Sequence, residues 1–235
     1  MVEFNLAGTE NRPMNVVYYF LKEYFKEGKK IVDVGCGVGR HLRLMPEGSF
    51  AIDAVKPPRD LSPKYNLVLY DLNSGNIPLK DNSVDVVFCS HVIEHLRSPF
   101  DALKEFHRIL NEGGLLLLGI PNPDCIYFDF YGLSKEQDWS EHLYSWNIKQ
   151  AKRFITNCDF LIDKIYCNYP FSGKLSGQIW NDLPLLKTIS SDLWFVCTKQ
   201  NSRVYLKPSK RYLIEKLLVK LGFGGAMSQP EEEVK

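Results

Sequence analysis

Residues 31–40, Ile-Val-Asp-Val-Gly-Cys-Gly-Val-Gly-Arg, set an acid near the end of an apolar run and then three glycines at alternate positions. Gly35, Gly37 and Gly39 have no Cβ, so this stretch can take positive φ and let a ligand lie directly on the backbone. In a dinucleotide-binding loop the third glycine follows three residues after the second and packs a helix beneath a pyrophosphate. Here it comes one residue early, which suits a flat, polar ligand without phosphates. Two further acids end apolar runs. Asp53 closes Phe-Ala-Ile-Asp, about twenty residues past the start of the glycine loop, where a carboxylate can hold ribose hydroxyls. Asp71 closes Leu-Val-Leu-Tyr-Asp. With Asp33, three acids stand at the ends of three candidate strands.

Those acids share one edge only if the runs carrying them are parallel neighbours. Apolar runs at 31–34, 50–55, 67–70, 84–89 and 115–120 are short and β-branched, separated by turn residues or by helical pattern such as 100–110. This alternation predicts βαβ units with right-handed crossovers, a buried parallel sheet, and strand carboxyl ends lined up along one side. A helical period over 13–27, with Val16, Val17, Phe20, Leu21, Tyr24 and Phe25 apolar and Gly28 placed to cap it, predicts an opening helix. Later, 148–158 reads as a helix, and 160–166 and 192–198 as strands. Residues 167–191, with Gly and Pro breakers among aromatics, read as a loop or partial lid.

The Asp-x-Gly-x-Gly-x-Gly loop is followed by Asp53, by Asp71-Leu72, by Val-Asp-Val-Val-Phe-Cys-Ser-His-Val-Ile-Glu-His (84–95) and by an apolar strand ending Gly-Ile-Pro-Asn (119–122). In this order the segments resemble the class I S-adenosylmethionine (SAM) dependent methyltransferases, in particular the type 11/12-like small-molecule group. The resemblance runs from about residue 29 to 122 and more weakly to 198. It implies an α/β Rossmann-like, seven-stranded, mostly parallel sheet of order 3-2-1-4-5-7-6, with strand 7 antiparallel and helices on both faces. It also implies SAM as cofactor. In that family the acid at the position of Asp33 lies beneath the methionine end, near its ammonium group, while a cap for the loop is the plainer role. By the same resemblance, Gly35, Cys36, Gly37 and Gly39 form the cradle, and Asp53 and Ala54 meet the ribose. Asp71 accepts from the adenine amino group, the N–H of Leu72 meets a ring nitrogen, and Ser90 and His91 stand at the mouth of the site. The Gly-Ile-Pro-Asn ending resembles a subset acting on quinone, lipid or glycan intermediates.

His91-Val-Ile-Glu-His95 also matches the His-x-x-Glu-His pattern of inverted zinc peptidases. The pattern follows directly on a strand, and no glutamate lies between His142 and Ile214 to complete such a site, so no metal is expected. Cys89-Ser-His-Val replaces the Asn-Pro-Pro-aromatic clamp of amino-group methyltransferases on DNA or protein. Methyl transfer from a sulfonium needs no acid for the leaving group, so alignment carries the rate, and a base helps only a protonated acceptor. His91 and His142 are the candidate bases, since imidazole titrates near neutrality. His142 stands in Trp-Ser-Glu-His-Leu-Tyr-Ser-Trp (139–146), and capping of the following helix is its alternative role. Aromatic residues dense over 127–146, with Tyr169, Phe171 and Trp180, suit an apolar or ring-bearing small-molecule acceptor or, equally, cover the sheet.

The 235 residues suffice for one α/β domain, expected over 1–206, with an extension over 207–235. Lys and Arg total 29 against 28 for Asp and Glu, so charge gives no reason to expect nucleic acid. The six cysteines fall singly and read as reduced core thiols of a cytoplasmic protein. Leu213, Leu217 and Leu221 recur at helical spacing beside Lys210, Arg211, Lys216 and Lys220. That amphipathic helix could touch an anionic membrane, dock on the domain or join a homodimer. Residues 228–235 carry three consecutive glutamates and read as a disordered acidic tail. Two other functions compete: a non-catalytic SAM-fold binding protein, and a nicotinamide-dependent dehydrogenase. The glycine spacing disfavours the dehydrogenase.

Overall fold

The computed structural model describes residues 23–56, 65–125, 142–168 and 190–200. The apolar runs form seven strands: β1 (Ile31–Val34), β2 (Phe50–Asp53), β3 (Asn66–Leu69), β4 (Val84–Ser90), β5 (Leu110–Pro121), β6 (Phe160–Asn168) and β7 (Asp192–Lys199). They hydrogen-bond in the order β3-β2-β1-β4-β5-β7-β6. Pairing is parallel from β3 through β5, and β7 runs antiparallel to both β5 and β6. This is the expected order and orientation.

Alternation along each strand divides the core in two. Val32, Val34, Ile52, Val87, Cys89, Leu116, Leu118, Phe195 and Cys197 belong to one cluster. Ile31, Ala51, Val86, Phe88, Leu117, Trp194 and Val196 belong to the other. A sheet buried on both faces has no polar side to write into the sequence, which is why its strands read as unbroken apolar runs. The first cluster takes Ala102, Leu103, Phe106 and Ile109 from helix α1 (Pro99–Ile109) and Ala151 and Ile155 from helix α2 (Ile148–Thr156). Helix α1 begins with Pro at its first turn, where the missing N–H costs nothing. Helix α2 begins with a capping box between Asn147 and Gln150. The second cluster is completed by Phe25, Leu42 and Met45, and Phe25 meets Phe88 edge-on at 5.6 Å. The helix expected over 13–27 lies mostly outside the described residues, as do 169–189 of the expected lid and all of 207–235.

β5 is longer than the run 115–120 suggested. It starts at Leu110, directly after α1, and reaches Val84 of β4 through a register irregularity. Gly113, at φ +68°, makes that irregularity possible. The crossover from β1 to β2 is short and holds only a 3-10 turn, Leu42–Leu44. No helix among the described residues is long and apolar enough to cross a membrane.

Arg108 on α1 fastens the segment that leads into β4. Its guanidinium donates to Glu105, to Asp81, and to the backbone carbonyls of Leu79 and Ile77, while Glu105 accepts from the N–H of Ile77 at 2.7 Å. These carboxylates hold the guanidinium pKa above its already high usual value. Arg108→Ala strands several of those acceptors and is expected to cost about 2–3 kcal/mol, or roughly 4–10 °C of melting temperature in a chain this size. Arg108→Lys, lacking the planar fork, is expected to recover less than half of that in the same melt.

Candidate active site

Parallel register brings the ends of β1 to β4 to one edge, and the glycine loop leaves β1 there. Gly35, Gly37 and Gly39 have φ of +69°, +52° and +72°, the left-handed region that favours glycine. The N–H groups of Gly35 and Cys36 both donate to the Ile52 carbonyl, at 2.8 and 3.1 Å, and fold the loop over β2. A Cβ on Gly35 would fall 2.3 Å from Cγ2 of Val92, whereas one on Gly37 would meet nothing within 4 Å. The loop is therefore closed against the protein at Gly35 and open at Gly37.

Asp53, at the end of β2, accepts from the N–H of Gly37 at 2.8 Å and from that of Val55 at 3.0 Å. Each oxygen is fixed by one amide and keeps further acceptor capacity. Ala54 beside it is exposed. Asp33 is 1% exposed, and its Oδ2 has no hydrogen-bond partner. Burial, helped by the nearby charge of Asp53, raises its pKa to about 8. Asp71 caps a 3-10 turn, Leu72–Ser74, accepting from the backbone and side-chain nitrogens of Asn73 at 2.9 and 3.0 Å. Asn73 in turn accepts from the N–H of Arg97, so the third strand end is tied to the turn after β4. Burial foremost, then the charges of Asp33 and Asp53, pushes the Cys36 thiol up to about 12 and leaves it inert.

Ser90 ends β4 opposite Gly119 of β5, and the N–H of His91 donates to the Gly119 carbonyl at 3.0 Å. Gly119 has no room for a side chain, because Trp194 lies 2.7 Å from where its Cβ would be. His91 has φ of +54°, and the residues after it form a 3-10 turn, Ile93–His95. An α-helix would have put His91 and His95 on one face, whereas here a left-handed residue and a 3-10 turn follow β4. The His91 ring lies between two acids, Nδ1 at 3.4 Å from Oε1 of Glu94 and Nε2 at 3.3 Å from Oδ1 of Asp192. Burial opposes its protonated form, yet the two carboxyl groups outweigh that and raise its pKa. His142 approaches the same oxygen of Glu94, with Nε2 3.9 Å from Oε1, and its ring centroid is 4.8 Å from that of His95. The N–H groups of Leu143 and Tyr144 donate to the Glu94 carbonyl at 2.8 and 3.1 Å, which fastens this segment to the turn.

Both candidate bases thus meet at Glu94, a residue the sequence displayed only inside His-Val-Ile-Glu-His. Asp192 had no local signal, since the antiparallel return of β7 brings it to this edge. His41, likewise unmarked in sequence, rests edge-on to Phe88 at 5.1 Å. Its pKa is lowered to about 4 by burial first, then by Arg40 and His91. For Asp33, a folded pKa of about 8 lies above the unfolded value, so its stabilising contribution is complete below about pH 4 and is lost as pH rises through 8. Asp33→Asn is expected to be more stable than the parent at pH 9, by a few kcal/mol at most, and close to it at pH 4.5. Denaturant melts at both pH values check this, and parallel pH profiles for the two proteins would contradict it.

A family model described as Methyltransferase domain matches residues 32–118. An uncharacterized protein of Methanocaldococcus jannaschii is 31% identical over 195 residues, 80% of each chain. A tRNA U34 carboxymethyltransferase of Hahella chejuensis is 34% identical over 106 residues, which are 39% of this chain and 32% of that protein. The chain spans about a third of the length of the first curated relatives it matches. Among solved structures, a SAM-dependent methyltransferase of Thermotoga maritima superposes with a TM-score of 0.59 at 18% identity, over 78% of this chain and 87% of that one. That likeness repeats the fold, while the matched domain covers the glycine loop and the three strand-end acids. On these grounds the chain carries, over residues 32–118, a methyltransferase domain of the class I SAM-dependent family.

Proposed function

We propose that the chain binds SAM across the ends of β1, β2 and β3 and directs its methyl group to a small-molecule, lipid or quinone, or glycan-intermediate acceptor. The observation that carries this reading is Asp33: a buried carboxyl beneath a left-handed glycine loop, with an oxygen that no hydrogen bond answers. An ammonium group is the partner such an oxygen calls for, and SAM has one at its amino-acid end. The open backbone at Gly37 gives that end room to lie on the loop between Gly35, Cys36 and Gly39. Asp53, held by two amides, is oriented to take a ribose diol beside Ala54. Asp71 and the N–H of Leu72 serve the adenine edge. Val38 and Val55, 57% and 72% exposed, supply apolar cover on the loop and just past β2.

Bound SAM supplies a methyl group on a sulfonium whose departure leaves a neutral thioether. The chain's own work is then to hold the methyl carbon in line with the acceptor, and such alignment can account for roughly 7–11 kcal/mol of barrier. Ser90 and His91 stand where β4 leaves the sheet, and His142 faces the same Glu94 oxygen as His91. A hydroxyl or amine acceptor passes its proton to one of these imidazoles or to water.

Saturating SAM, at a hundred times its Kd, is expected to stabilise the protein by about 2.7 kcal/mol, read as a shift of roughly 5–10 °C in melting temperature. Asp53→Ala should remove most of that shift, and an unchanged shift would overturn the ribose assignment. If Asp33 ionises to meet the ammonium, each binding event releases close to one proton in the window below a pKa of about 8. Affinity should then climb between pH 5.5 and 7.5, at most about tenfold per unit. Calorimetry in two buffers of different ionisation enthalpy measures this, and Asp33→Asn should flatten the profile. Transfer of labelled methyl from SAM to a panel of quinol precursors, lipids and sugars identifies the acceptor class, and no transfer to any acceptor would favour a binding protein.

A further inference from the structure

We infer that Glu94, His95 and His142 form a binding site for a divalent transition-metal ion, with zinc as the best-matched probe. One oxygen of Glu94 and one ring nitrogen from each histidine all lie within 4.8 Å of one another. Glu94 is 0% exposed, and neither of its oxygens makes a hydrogen bond. The Nδ1 of His91 stands 3.4 Å from Oε1, too far for a well-formed hydrogen bond, and the same ring also faces Asp192. A buried carboxyl left this short of donors is either costly or built for an absent cation.

The backbone supports the second alternative. Glu94 and His95 come from one 3-10 turn. His142 is delivered to them by the bonds from Leu143 and Tyr144 to the Glu94 carbonyl, and the Tyr144 hydroxyl donates to the Arg97 carbonyl at 3.0 Å. The donors thus sit on two segments already locked to each other before any ion arrives. Two imidazoles and a carboxyl group form a borderline donor set that suits zinc and leaves a coordination position open. Bonds of about 2.0–2.1 Å in a tetrahedral site put ligand atoms about 3.3 Å apart. The 3.9 Å between Nε2 of His142 and Oε1 of Glu94 closes to that by a small side-chain rotation.

This donor set is not the helical His-x-x-Glu-His pair. His91 turns its other nitrogen to Asp192 and is not one of the three groups whose ligand atoms lie within 4.8 Å of one another, and His142 joins the set from a distant segment. The two imidazoles that converge are tilted at 60° with centroids 4.8 Å apart, as rings sharing an ion would be, and not stacked flat.

The full chain, stripped with chelator and free of SAM, is titrated with zinc chloride by calorimetry and with cobalt(II) by visible absorption. One equivalent of zinc per chain is expected, with the intense bands of four- or five-coordinate cobalt. His95→Ala and His142→Ala should each weaken zinc binding by roughly tenfold or more, and Glu94→Gln should do the same wherever circular dichroism shows it folded. Absence of binding to the parent protein would overturn the site, as would unchanged zinc affinity in both folded histidine variants. Since no methyl donor is present in the titration, either result leaves the SAM reading untouched.

Discussion

A carboxyl group buried at the end of the first strand, with one oxygen unanswered, is the constraint around which this edge of the sheet is arranged. Water would satisfy Asp33 at no cost, so excluding water from it requires a rigid surround. That surround is mostly backbone. Gly35 and Cys36 are tied to the Ile52 carbonyl, Gly37 is tied to Asp53, and Val92 occupies the space a side chain on Gly35 would need. Each contact fixes the loop from the protein side and leaves its outer surface bare. A ligand that brings a positive charge to that surface relieves the burial of Asp33, and one that brings a diol finds Asp53 already oriented.

The far side of the same edge has a different character. Where β1, β2 and β3 offer acids and a glycine loop open at Gly37, the end of β4 offers imidazoles gathered around Glu94 and Asp192. The two regions are joined by Asn73, which is bonded both to Asp71 and to Arg97, and by Val92, which packs on Gly35 and directly follows His91. A change in the turn after β4 therefore reaches the glycine loop through one side chain. The rigid link suits a reaction whose rate rests on alignment, because donor and acceptor must be held to within a fraction of an ångström of each other.

The sheet was legible because parallel strands buried on two faces leave an unmistakable run of apolar residues, and the turns between them leave glycine, proline and asparagine. The order 3-2-1-4-5-7-6 was legible only through the resemblance carried by residues 29–122, since periodicity says nothing about neighbours. Asp33, Asp53 and Asp71 were found because each ends such a run. The cluster at Glu94 was hidden for the opposite reason: its members come from 91–95, 142 and 192, and their meeting depends on a left-handed His91 and an antiparallel β7. The spacing His-x-x-Glu-His, set aside as a metal pattern because it follows a strand, falls on a 3-10 turn, where the ring beside His95 is that of His142. Arg108 shows the same limit, since three of its four partners, Ile77, Leu79 and Asp81, lie 27–31 residues earlier in the chain.

The most direct measurement is a crystal structure of the full chain with S-adenosylhomocysteine, the inert product of the proposed donor. The expected density has the amino-acid end over Gly35 to Gly39, its ammonium within about 2.7–3.2 Å of Asp33 or one water away, and both ribose hydroxyls on Asp53. A ligand seated at another edge of the sheet, or one that lies on the loop with Asp33 still unpaired, would contradict it.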